Sequence, residues 1–202
     1  MPIDFKKTEK ELYQPKGIAI LTVPNMKFIT INGRGNPNGE EFQTATEILY
    51  ALSYSIKMNN KEKLEYVVPP LEGLWWSGVL DFVDKEEFIW TIMIRQPDFV
   101  DDNIFHNACE MVTKKKKLEV AMANFSEWSE GKCVQTIHIG SYDTERETID
   151  SMVQFAKGQG YEIEPFGEQH MLKRTHHEIY LSDPRKTTQE KLKTIIRYPI
   201  RG

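Results

Sequence analysis

The chain is poor in cysteine, in net charge and in long apolar runs, and each shortage excludes something. Its 202 residues include only two cysteines, Cys109 and Cys133. They are not spaced as a metal-ligand pair and do not form a disulfide framework, which fits a reducing compartment. The net charge of −4 offers no general attraction to phosphate backbones, so nucleic acid is not an expected partner. Lys114 to Lys117 is a local basic run, read as a solvated helix end. No stretch approaches the ~18 apolar residues of a membrane span, and the first residues lack the apolar core of a signal peptide. The expectation is a cytoplasmic protein with neither membrane nor nucleic-acid partners. Residues 33–39 are dense in glycine, but they lack the Lys-Ser/Thr ending of a phosphate loop and the spacing of a dinucleotide fingerprint. They read as a loop, and no cofactor is expected.

What is present is an ordinary globular composition, 40% hydrophobic and 28% charged, long enough to bury a real core. Residues 1–15 read as a leader with one short helical turn or none. Residues 26–32 are rich in β-branched and aromatic side chains and predict a strand. Residues 40–57 predict a helix, with Phe42, Ala45, Ile48, Leu49, Leu52 and Ile56 at helical spacing and Glu40 and Glu41 in the first turn. Pro69 and Pro70 make residues 65–76 an edge or bulged strand. Residues 88–95 predict a strong strand, 100–116 a helix, 118–128 an extended segment and 133–139 another strand. Gly140, Ser141 and Tyr142 form a turn before a helix in which Thr144 and Glu147 are placed as a capping box. After residues 162–171, residues 176–183 alternate as a strand, and residues 191–200 read as the closing one.

The order strand, glycine turn, helix, strand, strand occurs twice, offset by roughly 107 residues, a spacing that fits a duplicated half-domain. The expected fold class is α+β: one domain over residues 1–202, made of half-domains 26–96 and 131–202 around a pseudo-twofold axis, with 97–130 as the connection. The seam between the halves is the natural place for a ligand cleft.

Residues 176–183 carry the feature most in need of a reason. Ile179 and Leu181 point to one face, Glu178 and Tyr180 to the other. A carboxylate and a phenol on so β-prone a strand mean either a wet face or the floor of a cleft. Trp75 and Trp76 occupy the comparable region of the first half. As neighbours on a strand they face opposite ways, so one of the two belongs to the core. His176 and His177 cannot share a metal for the same reason, and none is expected. Trp90 lies on a core strand. Trp128 is a cleft wall or a packing lid, and Tyr142 reaches the cleft or caps the helix. His138 and His170 read as core or surface histidines.

The run Glu178-Ile179-Tyr180-Leu181-Ser182-Asp183-Pro184, then Leu192-Lys193-Thr194-Ile195-Ile196-Arg197-Tyr198-Pro199-Ile200, resembles the end of a GyrI-like small-molecule-binding domain. That pattern is a Glu-x-Tyr strand, Asp-Pro, a loop, then Leu-x-Thr-Glu-x in the last strand. The turn at Gly140, Ser141 and Tyr142 matches too, and the resemblance covers most of the chain from Met26 onward. Where the family often has a second Glu this chain has Ile195, so Glu178 alone carries over. Residues 66–76 and the insertion at 99–128 are similar to a stand-alone bacterial subgroup of cyclopropanoid cyclopropyl hydrolases, which open the strained ring of DNA-alkylating natural products with water. The resemblance implies Glu178 as general base. It implies Tyr180 as a water-positioning group or oxyanion donor, and Trp75, Trp76, Trp128 and Tyr142 as contacts for a flat, lipophilic aromatic ligand. The same cleft would serve a sequestering protein for flat, often cationic compounds. A regulator of a protein such as a gyrase subunit is a third reading. With no helix-turn-helix ahead of the first strand, a transcription regulator is disfavoured.

Overall fold

The structure is a computed structural model, and it describes residues 1–76, 85–164 and 175–202. The chain opens with two helical turns, α1 (Phe5–Thr8) and α2 (Lys10–Tyr13), where the sequence reading allowed one at most. They are ordered by tertiary contacts: Leu12 and Tyr13 are buried, and the Arg95 guanidinium is bound bidentately by Glu9. Next come β1 (Ala19–Arg34), α3 (Glu40–Asn59), β2 (Leu71–Trp76), β3 (Ile89–Gln96), α4 (Asp102–Lys116) and β4 (Ala123–Ile139). The chain finishes with α5 (Glu145–Gly158), β5 (Glu162–Ile163), β6 (His176–Tyr180) and β7 (Lys193–Arg201). His170 and most of the stretch 162–171 lie outside the described residues.

Six strands close into an antiparallel barrel in the order β4-β1-β3-β2-β6-β7, with β7 pairing back onto β4. Closure leaves none of the six with an unpaired edge, and it explains three departures from the sequence reading. Strand β2 is central, between β3 and β6, although residues 65–76 were expected to form an edge or bulged strand. Its prolines fall just before the paired residues, so no ladder hydrogen bond is lost. Strand β1 begins well before residue 26, because Pro24 sits where the register with β4 skips from Val23–Gly131 to Asn25–Ser129. The segments expected at 118–128 and 133–139 are one long strand, β4, pairing with β1 in its first part and with β7 in its second.

Period-2 alternation sorts the side chains into an outside and a lumen. Outside, Ile29, Ile31, Trp90, Ile92 and Ile94 pack with Ile48, Leu49 and Leu52 of α3 and with Phe105 and Val112 of α4. Val134 and Ile196 pack with Met152 and Ala156 of α5 in a separate cluster. Lumen residues include Phe28, Leu74, Trp76, Met93, Trp128, Ile179 and Ile195, with Leu12 and Tyr13 plugging one end. The lumen also holds charge. His177 Nδ1 donates to Glu130 and Nε2 to Glu72, each at 3.0 Å, so the imidazole is doubly protonated. Arg197, fully buried, donates to Gln135 Oε1 at 2.7 Å, to the Leu12 carbonyl at 2.7 Å and to Glu130 at 3.4 Å. Burial works against the charge on His177, but Glu130 and Glu72 outweigh it and push its pKa up to about 9.

Candidate functional site

The site lies on the outer surface of the barrel where β2 meets β6, between the α3 and α5 packing clusters. Strand β6 puts His176, Glu178 and Tyr180 outward and His177 and Ile179 inward. Across the ladder Glu178 faces Gly73, and His176 faces Trp75. Trp75 Nε1 donates to Tyr180 Oη at 3.0 Å, while Phe42 of α3 stacks on the indole and Phe88 meets it edge-on. This approach needs a glycine at 73. A Cβ there would lie 2.8 Å from Trp75 Nε1 and 2.9 Å from Tyr180 Oη.

The other wall comes from the start of α5. No capping box forms there, contrary to the pairing read from Thr144 and Glu147. The Thr144 hydroxyl instead donates to the Ser141 carbonyl at 2.7 Å, and a short 3-10 turn (Tyr142–Thr144) precedes the helix. That turn sets Tyr142 edge-on to Tyr180, with centroids 6.0 Å apart. It also turns Glu145 inward, leaving it only 6% exposed. Donor atoms of Glu145, His176 and Glu178 lie within 4.8 Å of one another. His176 Nε2 is 2.7 Å from Glu178 Oε1, and its Nδ1 is 2.7 Å from Tyr198 Oη. The protons are accounted for if Tyr198 donates to Nδ1 and Nε2 donates to the Glu178 carboxylate.

Electrostatics separate the two acids. Burial, then the charges of Glu178 and Asp143, push Glu145 up to about 10, so it keeps its proton at neutral pH. The hydroxyls around them resist ionisation. Burial and the nearby Glu178 raise Tyr180 and Tyr198, and burial, Glu178 and Glu145 push Tyr142 up to about 12. The cluster therefore sets one carboxyl and three phenols that hold their protons beside Glu178.

Of the residues singled out from sequence, Glu178, Tyr180, Trp75 and Tyr142 come together here. Trp76 and Trp128 do not. Both lie on the lumen side of the sheet, in the cluster with Phe28 and Met93, and Trp128 packs against His177. Glu178 was read as the sole acid, but the structure adds Glu145 from α5, together with His176, Tyr198 and Gly73. Glu145 sits in a helical first turn, where an acidic residue is ordinarily a dipole partner facing water, so sequence held no sign that it turns inward.

A family model of the GyrI-like small molecule binding domain matches residues 17–201. The chain belongs to the GyrI-like family. Among solved structures, this GyrI-like protein is similar to an uncharacterized conserved protein from Listeria innocua, at 41% identity and a TM-score of 0.92, over 98% of this chain and 100% of that one. It is also similar to two structures of hydrolases from Listeria innocua, both at 40% identity. Their TM-scores are 0.89, over 98% of this chain, and 0.91, over 100%, and each match spans 100% of the Listeria chain. No curated protein matches the chain. No helix among the described residues is long and apolar enough to cross a membrane.

Proposed function

We propose that this GyrI-like protein is a hydrolase that opens the cyclopropane ring of DNA-alkylating cyclopropanoid compounds with water, protecting a bacterial cytoplasm. The observation that carries this reading is the Glu178 carboxylate held by His176, with the protonated Glu145 close by, on the strand face where Tyr180 meets Trp75 and Tyr142. A spirocyclopropane conjugated to a dienone needs a nucleophile at the ring carbon and relief of the negative charge that gathers on the dienone oxygen. Glu178 takes a proton from water as the oxygen attacks the ring carbon. The ring C–C bond breaks, and its electrons move to the dienone oxygen, which acquires a proton to become a phenol. Tyr180 positions the water, and Glu145 is placed to supply a neutral donor to the oxyanion. Tyr142, an exposed ring, offers its π-face to the flat substrate, and Trp75 holds Tyr180 from behind. The relatives described as hydrolases support the reaction class.

We read the scaffold as two half-domains, 26–96 and 131–202, joined by 97–130. In the ring the first contributes strands in the order β1-β3-β2 and the second β4-β7-β6, so that β2–β6 is a seam between halves. This supports a pseudo-twofold relation with the site at the seam. A second reading, sequestration without turnover, is favoured by one feature: the Glu178 carboxylate beside aromatic rings also suits a flat organic cation.

Incubation with a spirocyclopropyl-dienone alkylator, followed by mass spectrometry, separates the two. The hydrolase yields ring-opened product carrying one added water, whereas stoichiometric recovery of unchanged compound overturns that reading in favour of sequestration. Glu178→Gln should abolish turnover and keep most of the binding, and unaffected turnover would remove Glu178 as the base.

A further inference from the structure

We propose that Glu145, His176 and Glu178 form a binding site for a divalent first-row transition-metal ion of the Zn²⁺ class. This inference does not depend on the hydrolytic reading, because it concerns the site without substrate. Three features carry it. The first is the donor set, an imidazole nitrogen and two carboxylates from two elements, whose ligand atoms all lie within 4.8 Å of one another. Zinc ligands at their usual bond lengths in tetrahedral geometry stand about 3.3 Å apart, so atoms within 4.8 Å of one another surround one ion after closing by at most about 1.5 Å. The second is an unused acceptor. Glu145 is 94% buried, the complement of its 6% exposure, and its Oε1 has no hydrogen-bond partner although it is shut off from water. A buried oxygen without a donor is costly, and a cation in the cluster satisfies it.

The third feature is the support behind the histidine. Tyr198 Oη lies 2.7 Å from His176 Nδ1. A hydroxyl can donate or accept. When a metal takes Nε2, the proton moves to Nδ1 and Tyr198 accepts it, the outer-shell arrangement typical of metal-bound histidine. The ion takes the place of the Nε2 proton that now bridges to Glu178, and the proton held by Glu145 is released to solvent as the ion binds. Three protein ligands leave a fourth position for water or an exogenous ligand. Because Glu178 serves both the metal and the proposed base, the metal-bound and hydrolytic forms are alternative states of one site.

The test uses the full chain after chelator treatment, titrated with Zn²⁺ by calorimetry and with Co²⁺ by visible absorption, without substrate. One ion per chain is expected, with a Co²⁺ d–d spectrum that Zn²⁺ abolishes and Mg²⁺ does not. His176→Gln, Glu145→Gln and Glu178→Gln should each weaken binding at least tenfold. Tyr198→Phe should weaken it about 10–100-fold, as loss of an outer-shell partner does. Glu110→Gln, at an exposed carboxylate on α4, should leave it unchanged. Thermal melting confirms that each variant is folded, and the Co²⁺ spectrum of the unaltered protein stands whatever the variants do. Absence of one-to-one binding, or affinity and spectrum indifferent to all the cluster variants, overturns the proposal. Turnover of the chelator-treated protein is scored separately, so failure here leaves the hydrolytic reading untouched.

Discussion

Raising the pH from 6 to 9 should cost this protein about 3 kcal/mol of stability through one side chain. His177 is fully buried in the barrel lumen between Glu72 and Glu130, which push its pKa from 6.5 up to about 9. The folded state therefore holds the proton up to pH 9, while the unfolded chain gives it up above 6.5. A raised pKa of this kind contributes stability that is complete below 6.5 and is lost as pH rises through 9. A shift of about 2.5 units at 1.36 kcal/mol per unit gives a contribution of roughly 3 kcal/mol. Below this window Glu130 acts in the opposite sense. Burial opposes its charge, but His177 and Arg197 hold its pKa below the usual 4.5, so its contribution is lost as the solution becomes acidic. Urea unfolding followed by far-UV circular dichroism, from pH 6 to 9.5, measures the effect, and His177→Gln isolates it. The variant should be weaker than the parent at pH 6 by several kcal/mol, as expected when a buried ion pair loses one partner. The gap should close by about 3 kcal/mol at pH 9.5, because the parent has by then lost the same charge. A gap that stays constant across that range would show that His177 is not charged in the folded state and would refute the reasoning.

Three further outcomes are expected. Gly73→Ala places a methyl group against Trp75 Nε1 and Tyr180 Oη, so it should lose about 1–3 kcal/mol of stability and bind the alkylator less tightly, as read by thermal melting and tryptophan fluorescence titration. Tyr180→Phe removes the hydroxyl that accepts from Trp75, and it should lower kcat by roughly 10²-fold with little change in KM; an unchanged kcat would take Tyr180 out of the reaction. In chelator-treated protein Glu145→Gln should be stabilising at pH 7 by up to about 3 kcal/mol, because folding the parent requires protonating an acid that is ionised in the unfolded chain. That advantage should grow between pH 5 and pH 8 in denaturant titrations, and a flat difference would count against it.

Helices α3 and α4 were legible because their apolar residues recur at helical spacing and each buries one stripe. The outward face of β6 was legible because alternation alone puts Glu178 opposite Ile179. Closure of the barrel was not, since it depends on β4 being long enough to pair with β1 and then β7, and the glycine at 131 interrupts the strand pattern there. Trp75 and Trp76 were known to face opposite ways. Which one met Glu178 depended on the register of β2 against β6, and residues 65–76 carry no signal for that. Glu145 was hidden for a different reason: its direction follows from the 3-10 turn before α5, a local geometry that the Thr144 and Glu147 spacing points away from.

That register has a physical guarantor, and it is the lumen. Slipping β6 by one residue would bring Glu178 into the barrel and turn His177 out, moving every side chain of the strand to the opposite face. The native pairing places His177 within 3.0 Å of both Glu72 on β2 and Glu130 on β4. After a slip Glu72 would be buried without its cation and Glu130 would keep only Arg197, 3.4 Å away, at a cost of several kcal/mol. An apolar lumen would tolerate such a slip more readily, since Ile179 could be replaced by another apolar contact. The charged lumen thus favours the register that sets Glu178, Tyr180 and His176 on the outside, acting from the opposite face of the sheet. It follows that replacing His177 with a neutral side chain should disturb the outer site as well as stability, and that the Trp75–Tyr180 contact is where the disturbance should first be seen.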